Sequence, residues 1–439
     1  LPGIGIFFYI MLSQGISRQR IFKLSKNEEY FARKALKTQI DEMKSDDYEY
    51  THREEYIWRD MIHLNQTYGG AYYTQDNNGR IFTDGTELME AIHNDIENAK
   101  EFINFETYIL QNDDVGRGII NHLAKKASEG VEVRLLIDAV GGRTIFQRTL
   151  RDFEEKGGKY AFFFKPKLRW INMRLNYRNH RKLICIDGAI GYIGGFNVGK
   201  EYLGRKKKFG YWRDTHMRFT GGCVRDINSR ILLDWRQAAK ENIPLNSVDY
   251  KISEPCANTG VQIVSCGPES SKEEIKRAYM KMITSAEKNV YIQTPYFIPD
   301  KSIVDSLKMA AQSGVDVRIM IPCKPDHMFV YWATYWYAGE LMKSGVKIYV
   351  YDNGFLHAKV VVCDGEILSC GSANFDNRSF LLNFEANAIV YDAQLATQME
   401  AIFEEDMKDC HELTKRLYEN RSLIIKIKES ISRLLSDLL

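Results

Sequence analysis

Covalent and metal staples are what this 439-residue chain lacks. Its eight cysteines are scattered singly, with no Cys-x-x-Cys and no Cys/His cluster at metal-ligand spacing, so the sequence offers neither a disulfide framework nor a zinc site. Cys185 and Cys363 sit inside apolar runs, the pattern of small apolar filler in a reducing compartment. Net charge is scarce too. Sixty Lys and Arg oppose 58 Asp and Glu, +2 overall, so whole-chain charge says little about partners. No run reaches the ~20 apolar residues that cross a bilayer. The nearest is residues 1–13, LPGIGIFFYIMLS, followed by Arg18, Arg20, Lys23 and Lys26. With no Met at the start, no basic stretch before it and no small-residue cleavage site after it, 1–15 is expected to be the last part of a transmembrane helix rather than a signal peptide. The positive-inside rule then puts the rest of the chain on the cytoplasmic side of the cell membrane.

What is present is a repeat. His180-Arg181-Lys182 is followed by four apolar residues, then Asp187 and a glycine; His357-Ala358-Lys359 is followed by four more, then Asp364 and a glycine. Gly194 and Gly371 each lie fourteen residues past the histidine, Asn197 and Asn374 seventeen past it. Four apolar residues closed by Asp-Gly read as a strand covered on both faces and ended by a turn. Side chains alternate along a strand, so His180 shares a face with Lys182 and His357 with Lys359, while Asp187 and Asp364 point the other way. The His-Lys pairs are therefore read as chemistry and the two Asp as the scaffold of the motif. From Lys165 to Arg213, thirteen Lys or Arg stand against two acids. A basic cleft of that kind suits a phosphate-bearing ligand, a nucleic acid or an anionic membrane.

Taken in order, residues 16–75 carry both charge signs and read as a basic, helical connector. A regular pattern begins after the turn signals Asn77-Asn78-Gly79 and Asp84-Gly85. Strand (102–109), helix (115–129) and strand (131–138) are matched by strand (290–295), helix (301–313) and strand (315–321), with Gly130, Val131, Val133 and Arg134 repeated at Gly314, Val315, Val317 and Arg318. The alternation predicts an α/β protein of two duplicated lobes, 76–245 and 246–412, joined near Pro244 to Pro255. Each is expected to be a mainly parallel mixed sheet flanked by helices, the two related by a pseudo-twofold axis with the active site between them. Residues 413–439 form an amphipathic helix, with Leu423, Ile424, Ile427, Ile431, Leu434 and Leu435 on one face. It either packs onto the domain or lies in a membrane interface. The aromatic run Tyr331, Trp332, Tyr335, Trp336, Tyr337 reads as a lipid-facing cleft mouth or as helix core.

One imidazole can attack phosphorus to form a phosphohistidine while a second protonates the departing alkoxide. Lys182, Lys359, Asn197 and Asn374 would face the non-bridging oxygens, where charge develops. Two lysines supply the countercharge, so no metal is called for. Each histidine needs a partner on its second ring nitrogen; Asp214 and Glu385 are the candidates, with a surface carboxylate as the competing reading. Ser372 adds a donor, and its first-lobe counterpart is Gly195.

The doubled motif, with its trailing Gly and Asn, resembles the signature of the phospholipase D superfamily over about residues 76–439. NHRKLICIDGAIGYIGGFNVGKEY, YIQTPYFIPD, FLHAKVVVCDGEILSCGSANFDNRSFLLNFE, the apolar N-terminus and the closing SRLLSDLL are most similar to the bacterial cardiolipin synthases. Asp437 stands where that family tends to have Pro. The resemblance implies phospholipase D-type lobes, no cofactor, and transfer of a phosphatidyl group from one phosphatidylglycerol to another with release of glycerol. It implies His180, Lys182, Asp187, His357, Lys359 and Asp364 as the catalytic motif, with His180 the nucleophile and His357 the acid and then the base. Taken alone, the near-symmetrical motifs do not order the two histidines. Phosphatidylglycerol and anionic membrane lipid are the expected partners, nucleic acid is not, and the oligomeric state stays open. A hydrolytic phospholipase D, another phosphatidyltransferase, a membrane-anchored nuclease and a non-catalytic membrane scaffold are the alternatives, the last opposed by intact His and Lys in both copies.

Overall fold

The computed structural model describes residues 21–22, 24–45, 47–165, 177–245 and 258–436. The expected membrane segment 1–15, the middle of the basic stretch and most of the linker lie outside them. Among the described residues no helix is long and apolar enough to cross a membrane.

The strand order of the first half is repeated in the second. From its edge inward the first half runs Lys159–Phe163, Glu132–Asp138, Phe102–Thr107, Leu183–Ile186, Ile190–Gly194, His216–Thr220 and Tyr73–Phe82. The second half runs Lys347–Tyr351, Asp316–Pro322, Asn289–Gln293, Val360–Cys363, Ile367–Gly371, Asn383–Tyr391 and Thr259–Cys266, with Cys410–Glu412 added outside. Tyr73–Phe82 and Thr259–Cys266 then pair antiparallel, Tyr73 opposite Gln262, and fuse the halves into one sheet.

The expectation of mainly parallel lobes needs correction. Only the outer three strands of each half are parallel; the inner pairings are antiparallel. In the central hairpin of each half the turn decides this. Asp187-Gly188 and Asp364-Gly365 have φ of 54° and 66°, and 58° and 65°, positive at both central positions as in a type I′ hairpin turn. So short a turn can only return the chain antiparallel.

Both motif strands are covered on both faces, as their unbroken apolar runs require. Leu183, Cys185, Val360 and Val362 join one core with Ile227, Ile231, Met399 and Phe403 of helices Cys223–Ala239 and Ala393–Met407. Ile184 and Ile186 face helices Gly85–Glu97 and Asp114–Ser128, whereas Val361 and Cys363 face Glu274–Ser285 and Lys301–Gln312. Asp84, Asp113, Asp300 and Asp392 cap four of these helices through backbone N–H groups of the first turn.

The expected connector is partly core. Trp58, Met61 and Ile62 are buried with the apolar residues of the second half, although they precede the first half in sequence. Asn65 Nδ2 donates to Gln262 Oε1 (3.0 Å), and Gln262 Nε2 donates to the carbonyls of Ile62 (3.1 Å) and Ala71 (3.2 Å).

At the other end, helix Leu423–Leu434 packs on helix Met328–Met342 with its polar side inward. Glu429 is buried and bridged by Arg421, Lys428 lies over the Trp332 ring and Arg433 over Trp336. The apolar face is left outside, with Leu423 73%, Ile424 65% and Leu434 77% exposed. The aromatic run is thus the seat of this helix, and it is Asp326, His327 and Val330, just before it, that reach the cleft.

Trp58→Ala tests whether the connector is structural. Emptying a site 3% exposed is expected to cost about 3–5 kcal/mol in denaturant unfolding; a loss under about 0.5 kcal/mol would mean that the segment is a mere linker.

Candidate active site

Two short parallel ladders set the site. Arg178–Asn179, leading into the first motif, pairs with the start of Asn383–Tyr391, Arg178 opposite Asn383 and Asn179 opposite Phe384. Phe355–Leu356, leading into the second, pairs with Trp212–Arg213, Phe355 opposite Trp212 and Leu356 opposite Arg213. One residue further on, the His180 N–H donates to the Phe384 carbonyl (3.0 Å) and the His357 N–H to that of Arg213 (2.7 Å). Each histidine is thus delivered beside the carboxylate that follows on the opposite strand. The sequence pointed to Asp214 and Glu385 within their own halves, but the structure crosses them. His180 Nδ1 lies 3.0 Å from both Glu385 oxygens, and His357 Nδ1 lies 2.5 Å from Asp214 Oδ2.

All four groups are buried, and that sets their charge. Burial pushes His180 down to about 4 against the pull of Glu385. Burial and then Lys359 likewise lower His357, with Asp214 opposing. Burial alone would raise the two carboxyls. His180 and Lys182 outweigh it at Glu385, and Lys359 and His357 at Asp214, so both stay below the usual range. Burial also brings Lys182 down to about 7 and Lys359 to about 8. At neutral pH each ring is uncharged, and the carboxylate against its Nδ1 favours the tautomer that donates there and keeps Nε2 as a free base, although at His357 the Lys359 Nζ also lies 2.8 Å from Nδ1.

One cleft of about 520 Å³ is walled by both imidazoles, Asn197, Asn374, Tyr108 and Trp212. The Tyr108 ring lies 4.8 Å from that of His180, and the Trp212 ring 5.0 Å from that of His357. Asn197 Oδ1 accepts from the Ile109 N–H (3.0 Å), and its amide side chain also hydrogen-bonds Tyr202 at the cleft wall. The lysines stand one layer back. Lys182 Nζ donates to the His180 carbonyl (2.5 Å), and Lys359 Nζ donates to that of His357.

Two of the residues named with the motif stand outside the cleft, and a third serves a carboxylate. Asp187 and Asp364, counted with the catalytic motif, stay out of the cleft, as strand alternation requires. Asp187 accepts backbone N–H bonds from Lys100, Glu101 and Phe102, and Asp364 from Glu287, Lys288 and Asn289, so each clamps its hairpin to the start of the neighbouring strand. Ser372 is no phosphate donor, because its hydroxyl is committed to Glu385 Oε2 (2.5 Å). At its counterpart Gly195, a Cβ would run into the Asp214 carboxylate; the second half supports its carboxylate with a hydroxyl where the first half only makes room.

Two buried arginines escaped the sequence reading. Arg181, between His and Lys, donates to Asp234 (2.8 Å), the Cys266 carbonyl (2.9 Å) and the Glu385 carbonyl (3.1 Å). Arg213 binds Asp406 (2.9 Å) and the Asp214 carbonyl (2.5 Å). Each braces the backbone beneath a carboxylate. The available signal was parity: a charged residue facing away from the site on an interior strand must have a buried partner.

Nitrogen-15 NMR of the imidazoles tests the electrostatics. The His180 ring is expected to stay neutral and Nδ1-protonated from pH 8 to 5 and to titrate near 4; a midpoint between 6 and 7 would contradict the burial argument.

Comparison with known proteins agrees. The family model described as "Cardiolipin synthase, PLD-like domain" matches residues 92–209 and 279–407, more than half of the chain. A cardiolipin synthase of Staphylococcus aureus is 48% identical over 440 residues, covering 100% of this chain and 89% of that protein. A major cardiolipin synthase of Bacillus subtilis is 45% identical over 443 residues, covering 100% and 91%. Among solved structures, the phosphatidylserine synthase of Haemophilus influenzae superposes with a TM-score of 0.63 at 15% identity, over 87% of this chain and 100% of that one. That last likeness speaks for the fold alone. Doubled motif, crossed pairs and full-length identity converge: the chain belongs to the bacterial cardiolipin synthases of the phospholipase D superfamily.

Proposed function

We propose that this protein makes cardiolipin by moving a phosphatidyl group from one phosphatidylglycerol to another through a phosphohistidine. The observation that carries the reading is the pair of neutral imidazoles in one cleft, each held by a carboxylate from the other half. By resemblance, His180 is the nucleophile. Its Nε2 lone pair forms the P–N bond as the P–O bond to glycerol breaks, and the departing oxygen takes a proton from the protonated ring of His357. The entering phosphate anion is what raises the pKa of that ring enough to hold the proton. The now neutral His357 then accepts the proton of a hydroxyl on the second phosphatidylglycerol. That oxygen attacks phosphorus, the P–N bond breaks, and cardiolipin leaves. Lys182 and Lys359 supply positive charge behind the rings, and Asn197 and Asn374 supply cleft-facing amides.

The same proposal includes a cytoplasmic catalytic body anchored through residues 1–15, the division into lobes at 76–245 and 246–412, and the tail helix as a second contact with anionic lipid. An outward apolar stripe at Leu423, Ile424, Ile427, Ile431 and Leu434, with Lys426 and Lys428 beside it, is the chemistry of an interfacial helix.

Purified protein given labelled phosphatidylglycerol alone is expected to yield cardiolipin and glycerol, with EDTA leaving the rate unchanged. Phosphatidic acid as the main product would make it a hydrolase. His180→Ala and His357→Ala should each abolish transfer with the fold retained; near-normal activity in either would refute a shared site. Ile424→Ser/Ile427→Ser/Ile431→Ser should weaken sedimentation with phosphatidylglycerol vesicles while sparing turnover of detergent-dispersed substrate. Unchanged vesicle binding would remove the tail from the proposal.

A further inference from the structure

The two halves differ two residues past the carboxylate. Glu385 lies 171 residues after Asp214, and the same offset relates His216 to Asn387. Each stands opposite the glycine of its motif, His216 beside Gly194 and Asn387 beside Gly371. The approach is so close that a Cβ on either glycine would run into the facing side chain. In the second half that side chain is fully engaged. Asn387 Nδ2 donates to Tyr279 Oη (2.8 Å) and Ser369 Oγ (3.1 Å), and its Oδ1 accepts from the Ala373 N–H (3.2 Å). In the first half the His216 ring is buried, and neither of its nitrogens has a hydrogen-bond partner among the described residues. Polar atoms buried in that state are costly and call for an explanation.

A small cavity adjoins that ring. It measures about 10 Å³, room for a single water. Leu88, Ile92 and Phe105 form its apolar wall, and Thr107, Lys182 and His216 its polar side. Glu106 borders it too, but its Oε1 accepts from Asn179 Nδ2 (2.6 Å), and burial, then Asp234, push its carboxyl well up. Lys182 is the group with donors to spare. An ammonium has three N–H groups. One goes to the His180 carbonyl, and the Tyr108 ring lies 5.2 Å from Nζ. Lys359 is placed differently, since its Nζ has His357 Nδ1 at 2.8 Å besides the His357 carbonyl.

We infer that His216 is a positioning residue for Lys182: one water in this cavity accepts an N–H of the ammonium and donates to the His216 ring, so that Lys182 stays charged and aimed behind His180. This rests on the reading of the cleft as a phosphatidyl-transfer site. The Thr107 hydroxyl donates to the Ile109 carbonyl (3.2 Å), which leaves its oxygen to accept the second hydrogen of the water and gives that water three bonds. Burial holds the His216 ring neutral, its pKa brought down to about 3, so it remains an acceptor throughout the working pH range. Around Lys182 stand Glu385, Asp214 and Asp138, which favour the ammonium, and Lys359, which opposes it. The rings of His180 and His357 complete the set. Burial outweighs the acids and brings Lys182 to about 7, so one further acceptor decides how much of its charge survives at neutral pH.

The pH profile of kcat/KM is the test, with detergent-dispersed phosphatidylglycerol as substrate and every phosphatidyl product counted. Its basic limb reports loss of the lysine protons, Lys182 before Lys359. His216→Leu should move that limb about one pH unit lower, the loss of one hydrogen bond to a charged group. The cost would then be about ten-fold near pH 8 and little near pH 5.5. His216→Asn keeps an acceptor, and is the residue the second half uses, so it should return most of the shift. The position of the limb does not depend on the fraction of folded enzyme. An equal loss at both pH values in His216→Leu, or a limb in His216→Asn no better placed than in His216→Leu, would overturn the inference. Phosphatidic acid in place of cardiolipin would overturn the transfer reading instead, and the same limb would still report on His216.

Discussion

Two hydrogen bonds between buried groups, His180 to Glu385 and His357 to Asp214, are what the rest of the molecule is arranged to keep. Each joins a ring from one half to a carboxylate from the other. Neither half can complete a reactive imidazole alone, so the duplication persists as an interlock rather than as redundancy. The interlock works through the backbone. Two-residue parallel ladders place each histidine one step beyond its last paired residue, beside the carboxylate one step beyond on the facing strand. A slip of one residue in either ladder would turn the ring away from its partner, and the fused central sheet fixes that register.

Holding these charges under cover is costly. Lys182, Lys359, Arg181 and Arg213 are all buried near the two carboxylates, and buried ions are stable only when paired. Arg181 reaches Asp234 and Arg213 reaches Asp406, each acid on the helix that follows a carboxylate strand. Those helices also supply the apolar layer beneath both motif strands. One pair of helices therefore seals the core and neutralises the brace, linking packing to the pKa of the reacting groups. The result is a pair of uncharged bases in a site otherwise rich in ions, a state suited to attack on a phosphodiester.

Much of this was legible in the sequence because strands write their faces in alternating residues. The His-Lys pairs, the double burial of 183–186 and 360–363 and the Asp-Gly turns all followed from parity and turn chemistry. Sheet direction did not, although the tight turn at Asp187 already implied antiparallel neighbours. Asp214 and Glu385 could be named, since a carboxylate among alternating residues is visible. Their exchange between halves could not, since it depends on two long-range ladders with no local signal. The docking of Trp58 into the second half was hidden for the same reason. In the tail, periodicity found the apolar face but not its outward direction, which is set by Lys428 and Arg433 seating on Trp332 and Trp336 with the Arg421–Glu429 pair buried beside them.

The measurement that bears most directly on the interlock is the ring nitrogen-15 signature of each histidine in two single variants. In Glu385→Gln the Nδ1 signal of His180 should move while that of His357 stays. In Asp214→Asn the Nδ1 signal of His357 should move while that of His180 stays. If Glu385→Gln instead disturbed His357 and spared His180, each half would be serving its own histidine and the crossed site would be wrong.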